Sequence, residues 1–274
     1  MKHFAHYVKR SVVDASQQTD DALPLYVEHQ PHDQGFQSPA YHSVAANSGV
    51  ASRVSKGDTI WLFSQLSSPW GSLKPSLDAI IKVSEIKRPE CHASGRYRFQ
   101  ANDDSRWFPL FDATELISRL VAIDSQGNSR ALLNTRGTSI GQALQFLREI
   151  YDPTPLLEHM IRVSETPLDF VSYRIIDGTR PAFELTKCLL DEKRAVFWDR
   201  WSLPRRLSER GENIGNKPLD SHVYFTIGSA RIVWGVVSAL YAASGSYSAK
   251  EKELAISLKK FKEYPQLNDG CSSQ

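Results

Sequence analysis

"IVWGVVSALYAA", residues 232–243, is the longest apolar run of the chain. It is too short for a membrane-crossing helix, which needs about 20 such residues. It reads instead as a buried strand over 231–238, "RIVWGVVS", running on into a turn. Two runs of similar character precede it, "DFVSYRI" (169–175) and "AVFWDRW" (195–201). Between them lies "RPAFELTKCLLDEKR" (180–194), a helix with Pro181 suited to its first turn. "DSHVYFTIGSA" (220–230) is read as a helix, although its aromatic residues leave the assignment ambiguous. Apolar strands alternating with helices imply a parallel sheet covered on both faces. Ligands of such sheets sit outside the carboxyl ends of the strands. The loops at 173–179, 200–206 and 238–247 follow strands, so they gather at that edge.

"SGSYSAKEKELA" (244–255) opens the next helix. Leu254, Leu258 and Phe261 mark an apolar stripe at i, i+4, i+7, and Glu251 lies beside it. A carboxylate there is either an acid favoured by the helix dipole or a catalytic acid at a pocket edge. Tyr247, one turn earlier, shares its side of the helix.

The first half is richer in strands. "DTIWLF" (58–63), "AIIKVSEI" (79–86) and "RYRFQA" (96–101) have strand patterning, and "SQLSSPWGSLKPS" (64–76) is a loop. "DATELISRLVAI" (112–123) reads as a helix with Asp112 and Glu115 at capping-box spacing. "TSIGQALQFLREI" (138–150) reads as a second, with Ile140, Leu144 and Leu147 on one face. The prolines of "YDPTP" (151–155) break the pattern, and a short helical patch, "LLEHMIRV", ends near Pro167. These signals divide the chain into a β-rich α+β unit (1–150), a linker (151–167) and an α/β unit (168–274).

Bulk properties exclude several classes. The 274 residues carry a formal net charge of +2, which gives no global electrostatic case for nucleic acid or membrane binding. Cys91, Cys188 and Cys271 are far apart, against a zinc site or disulfide framework and in keeping with a reducing cytosol. The eight histidines show no metal-ligand spacing. No GxGxxG or Walker motif supports a Rossmann or P-loop nucleotide site. The N-terminus lacks the apolar core of a secretory signal, and the expected location is cytoplasmic.

Three stretches of the α/β unit resemble the Toll/interleukin-1 receptor (TIR) domain in its bacterial form. "DFVSYRIID" resembles the family's opening strand, written F-I-S-Y-R. "VFWDRWSLP" resembles its second strand and the start of the BB loop. "SARIVWGVVSALYAASGSYSAKE" resembles the segment S-r-x-v-v-v-x-S-x-x-Y-x-x-S-x-W-C-x-x-E. Ser238, Tyr241 and Ser244 fall in register there, Tyr247 and Ser248 replace Trp-Cys, and Glu251 falls on the family's acid. The resemblance covers about 168–262 and implies a flavodoxin-like parallel sheet with flanking helices. A complete domain of the family has two more strands and another helix. This chain runs into "YPQLNDGCSSQ", so that part is expected to be missing, shortened or unrecognisable.

Many bacterial members cleave the nicotinamide–ribose bond of NAD+ and serve in defence against phage; others are adaptors without activity. Carried over residue by residue, the resemblance makes Glu251 the catalytic acid and Tyr247 the partner of the nicotinamide ring. Tyr173 and Arg174 would line the pocket, with Arg174 placed to pair with a phosphate. Ser238 stands at a family position of the same edge. Asp199 would organise the loop after the second strand. Trp201 and three arginines in "RWSLPRR" (200–206) would contact a neighbouring copy. Each residue also has a plain alternative: a core aromatic for Tyr247, a solvated charge for Arg174, a solvated basic loop for 200–206. NAD+ would be substrate, with no cofactor and no metal.

"KGDTIWLF", "DAIIKVSEI" and "SRWFPLFDATELISRL" resemble, more faintly, the PUA/EVE-like small β-barrels that read modified bases or nucleotides. Trp61, Trp70 and Trp107 would then form a stacking cage, or else pack in the core. Three functions follow as expectations: a self-assembling NAD+ hydrolase whose first half senses an infection signal, a TIR-type scaffold without catalysis, and a nucleotide or nucleic-acid binding protein.

Overall fold

A computed structural model describes residues 1–11, 39, 41–45, 49–88, 96–124, 126–133, 139–198, 201, 216–238, 241 and 247–264. The chain is α/β, with a large mixed sheet in its first half and a separate parallel sheet flanked by helices in its second. Among the described residues no helix is long and apolar enough to cross a membrane.

The large sheet runs in the order Ser129–Ala131, Val121–Ile123, Arg148–Ile150, His3–Tyr7, Thr59–Ser64, Ser76–Lys87, Arg96–Ala101 and Tyr41–Ala45. Arg106–Trp107 also pairs with Ser76–Lys87. The three strands read from patterning in this half all form, each within a few residues of its expected limits. Two expected helices are shorter than their patterning suggested. Thr114–Arg119 is helical, but Val121–Ile123 is a strand hydrogen-bonded to Ser129–Ala131 and Arg148–Ile150. Ile140–Ala143 is helical, but Arg148–Ile150 pairs with His3–Ala5. Sheet partners distant in sequence override local helix periodicity at both places.

The caps differ as well. Asp112 stands two positions before the helix, whose N-cap is Ala113, and its Oδ1 accepts from Thr114 N at 2.8 Å, while Glu115 pairs with Arg162 at 3.1 Å. The capping box belongs to the next helix, between Ser139 and Gln142. Thr154–Glu165 forms a helix between the halves, burying Leu156 and Val163 in the same cluster as Phe111, Leu116 and Ile150.

Trp61, Trp70 and Trp107 are not gathered into a cage. Trp61 is buried and donates to His3 Nδ1 at 3.0 Å. Trp70 packs on Phe183 of the second half, and Trp107 packs on a different core cluster.

The parallel sheet has the order Ala195–Phe197, Leu168–Ser172, Ile232–Val236, Phe261–Tyr264. Numbered along the chain this is second, first, third, fourth, so the sequence direction reverses between Leu168–Ser172 and Ile232–Val236. The helix after the first strand is Ile175–Asp191, which begins earlier than expected and holds Pro181 in its interior rather than its first turn. The helix before the third strand is Asn216–Ser229, as expected in type.

The stripe Leu254–Leu258–Phe261 does not exist as a helical face. The helix runs Tyr247–Ser257, Leu258 is 41% exposed, and Phe261 begins the fourth strand. Lys259 turns the chain with a φ of 58°; its N–H bonds Ile256 O and that of Lys260 bonds Ala255 O. This Schellman ending recurs where Lys193, also at φ 58°, leads from Ile175–Asp191 into Ala195–Phe197. The fourth strand is therefore present, although the sequence showed no sign of it.

The halves share a core. Leu66, Leu73 and Leu110 of the first pack with Val171, Trp198, Trp201 and Val236 of the second. Leu110 and Val196 exchange backbone hydrogen bonds of 3.0 and 2.8 Å across the joint. Arg10, wholly buried, donates to both oxygens of Asp78 at 3.0 and 2.6 Å and to Trp201 O at 2.6 Å. Its guanidinium lies 4.6 Å from the centre of the Trp201 ring.

Buried histidines make the fold acid-sensitive. Burial holds His6 and His159 down to about 4, and His42, 2.8 Å from His6, well below its usual value. Below pH 6.5 the unfolded chain takes up protons on these rings that the folded chain refuses. Stability therefore falls as pH drops from about 6.5 to about 4, by about 1.4 kcal/mol per unit of depression for each ring. His159 is 3% exposed, and neither ring nitrogen has a partner among the described residues. His159→Leu should flatten part of this slope in urea melts at pH 7 and pH 4.5; an unchanged slope would remove His159 from the account.

Candidate active site

The strand order reverses between Leu168–Ser172 and Ile232–Val236, and ligands of parallel sheets bind outside the carboxyl ends of the strands at such a reversal. The polar side chains there form one connected network. Ser172, the last residue of the first strand, donates from Oγ to Glu251 Oε2 at 2.5 Å. The same Oγ lies 2.9 Å from the Tyr241 hydroxyl. Tyr241 N bonds Ser238 O at 3.1 Å, and Ser238 Oγ donates to Asp177 Oδ1 at 2.7 Å. Ser248 Oγ donates to Tyr241 O at 2.7 Å, tying the start of the Glu251 helix to this turn.

Burial is graded across the network. Ser172 is 1% exposed and Tyr241 is wholly buried, whereas Glu251 is half-buried. Burial, reinforced by the charges of Glu251 and Glu263, pushes the Tyr241 hydroxyl far above its usual value against the opposing bond to Ser172. The phenol therefore stays neutral at all physiological pH.

Gly235 makes the arrangement sterically possible. It lies opposite Ser172 in the parallel register. A Cβ at 235 would fall 2.4 Å from Phe261 Cζ and 2.9 Å from the Tyr241 hydroxyl. Gly235→Ala should cost about 1–3 kcal/mol through overpacking and loosen the fourth strand. A thermal melt equal to wild type would contradict this contact.

Of the residues singled out in the sequence, Glu251 and Ser238 belong to this network. Tyr173 follows Ser172, is 8% exposed, and packs toward Trp198 with ring centroids 6.3 Å apart. Arg174 is half-buried at the N-cap of Ile175–Asp191. Trp201 is not exposed at this edge: it is 1% exposed in the shared core, its indole N–H donating to Phe108 O at 3.0 Å. Tyr247 is the first residue of its helix, and its side chain lies outside the described residues, as does all of Asp199.

Ser172, Tyr241 and Asp177 were not given roles from sequence. The signal for Ser172 was its place at the carboxyl end of the first strand. For Tyr241 it was register with the family segment. Asp177 showed only an acid in the first turn after that strand.

The opposite end of the sheet is built differently. Asp169, wholly buried, accepts from Arg194 at 2.7 Å, Arg231 at 3.0 Å and Trp234 Nε1 at 3.2 Å. Its acceptor capacity is taken up by structural partners, whereas Glu251 reaches solvent. Among the described residues no group of three histidine, cysteine or acidic side chains could hold a metal ion. Comparison with protein-family models, curated proteins and solved structures gives no match to this chain.

Proposed function

We propose that the chain is a TIR-type NAD+ hydrolase in which Glu251 stabilises the transition state for loss of nicotinamide. The observation that carries this reading is a half-buried carboxylate fixed by Ser172 at the strand-order reversal of a parallel sheet. Sheet order supports it too: among the described residues, second, first, third, fourth follows the flavodoxin-like order.

Cleavage of the C1′–N bond gives the ribose oxocarbenium character while neutral nicotinamide leaves with the bonding pair. A nearby carboxylate stabilises that charge. Water then adds at C1′ and gives up a proton, for which Glu251 is a suitable acceptor, yielding ADP-ribose. In this reading Arg174, half-buried just beyond the first strand's end, pairs with a phosphate of the dinucleotide, and Tyr173 packs toward Trp198.

The reading extends to a cytoplasmic anti-phage effector that self-associates. Phe225, 77% exposed on the Asn216–Ser229 helix, and Ile256, 53% exposed on the adjoining Tyr247–Ser257 helix, offer apolar surface to a second copy. In the first half, a cleft of about 360 Å³ lined by Lys56, Arg88, Glu85, Ser84 and Tyr97 is a suitable place for a nucleotide trigger.

The test is nicotinamide release from NAD+ across a range of protein concentrations. Release that rises with assembly and disappears in Glu251→Gln is expected. Concentration-dependent assembly with no release from wild type would leave the scaffold reading instead.

A further inference from the structure

We propose that Tyr241 and Ser172 form a directional hydroxyl relay that aims Glu251 and holds it as an acceptor. The inference deepens the hydrolase reading at the same site, but its physical content stands on the hydrogen bonds alone.

The direction follows from proton counting. An ionised carboxylate has no proton to offer, so the 2.5 Å contact requires Ser172 to donate its only hydroxyl proton to Glu251. Ser172 Oγ must then accept from the Tyr241 hydroxyl at 2.9 Å. Tyr241 can always supply that proton, because burial keeps the phenol neutral. Each donor in the chain is polarised by the next, which strengthens the bond that reaches the carboxylate.

Burial decides which member meets substrate. A serine hydroxyl beside a carboxylate has the form of an activated nucleophile. Ser172 is 1% exposed, however, behind the more accessible Glu251. A ribose approaching this edge of the sheet therefore reaches the carboxylate, and Ser172 acts through it as a positioning residue.

The fold spends two features on this relay. Gly235 opens the space through which the Tyr241 hydroxyl lies. The Ser238 and Ser248 contacts pin Tyr241's backbone at both its N–H and its carbonyl.

The test is a direct carboxyl titration by carbon NMR on glutamate-labelled protein, with Glu251→Gln assigning the resonance. Variants are Tyr241→Phe, which removes one hydroxyl and keeps the ring, and Ser172→Ala. Losing a donor to the charged form raises the pH at which Glu251 takes up its proton, by about one unit in Ser172→Ala and by less in Tyr241→Phe. Ser172→Thr restores the wild-type midpoint. In turnover, Ser172→Ala lowers kcat about tenfold and moves the acid limb of the pH profile upward with the titration.

A midpoint unmoved in both variants overturns the relay, even if NAD+ is cleaved. Should Ser172→Ala fail to fold, the Tyr241→Phe midpoint decides alone. If wild type releases no nicotinamide but the midpoints shift as stated, the relay stands and the hydrolase reading falls.

Discussion

On the proposed hydrolase reading, Glu251→Gln is expected to lower nicotinamide release by about 10²–10³-fold, the range found when one preorganised electrostatic contact is removed from a transition state. The amide matches the carboxylate in size, and its oxygen can still accept from Ser172. The substitution thus removes charge and leaves the connection to the first strand. Its thermal midpoint should stay within about 2 °C of wild type, and the loss should fall on kcat more than KM. A glutamine variant with undiminished release would show that the developing ribose charge is met elsewhere. Alanine is the less informative change, since it also strips Ser172 of its acceptor.

The largest effect on stability is expected at the joint. Arg10→Met leaves Asp78, 1% exposed, facing only Ser64 among its present side-chain donors, and leaves Trp201 O without the guanidinium. Stranding one partner of a buried ion pair costs about 3–5 kcal/mol. That is a large fraction of the about 5–15 kcal/mol that separates folded from unfolded domains. The double change Arg10→Met with Asp78→Leu removes the stranded charge and should recover much of the loss. Urea melts followed by tryptophan fluorescence test both expectations, because Trp201 lies under Arg10. A single variant as stable as wild type would mean that the pair contributes nothing to holding the halves together.

The second half was more legible in sequence than the first, for physical reasons. "DFVSYRI" and "RIVWGVVS" are apolar because strands buried on both faces admit little else, so their pattern survives without knowledge of neighbours. "VAI" and "REI" are too short to carry a pattern. They are strands because they pair with each other, and "REI" also with His3–Ala5, a choice made by distant residues. Phe261 was misread for the same reason: as a helical stripe position it fits, but the fit of its ring over Gly235 is invisible locally.

Glu251 was singled out because it falls in register with a segment the sequence resembles. Its partner Ser172 lies 79 residues away, and nothing near Ser172 in sequence points to an acid. Arg10 and Asp78 were equally unreadable, being 68 residues apart with no motif at either. Trp201 was read as a loop aromatic, whereas its ring and carbonyl are held in the shared core by Arg10 and Phe108.

The position of His3–Tyr7 within the large sheet bears on when the protein is complete during synthesis. This segment pairs on one side with Thr59–Ser64 and on the other with Arg148–Ile150. It emerges early from the ribosome but cannot be enclosed until the second partner has followed. Arg10, just beyond it, waits longer still for Trp201. Closing such long loops is slow and leaves strand edges open in the interval. The network at Glu251 is completed later again, since its helix, Tyr247–Ser257, follows Trp201 in the chain. Between the synthesis of Ser172 and that of Glu251 the nascent chain lengthens by 79 residues with this network still open.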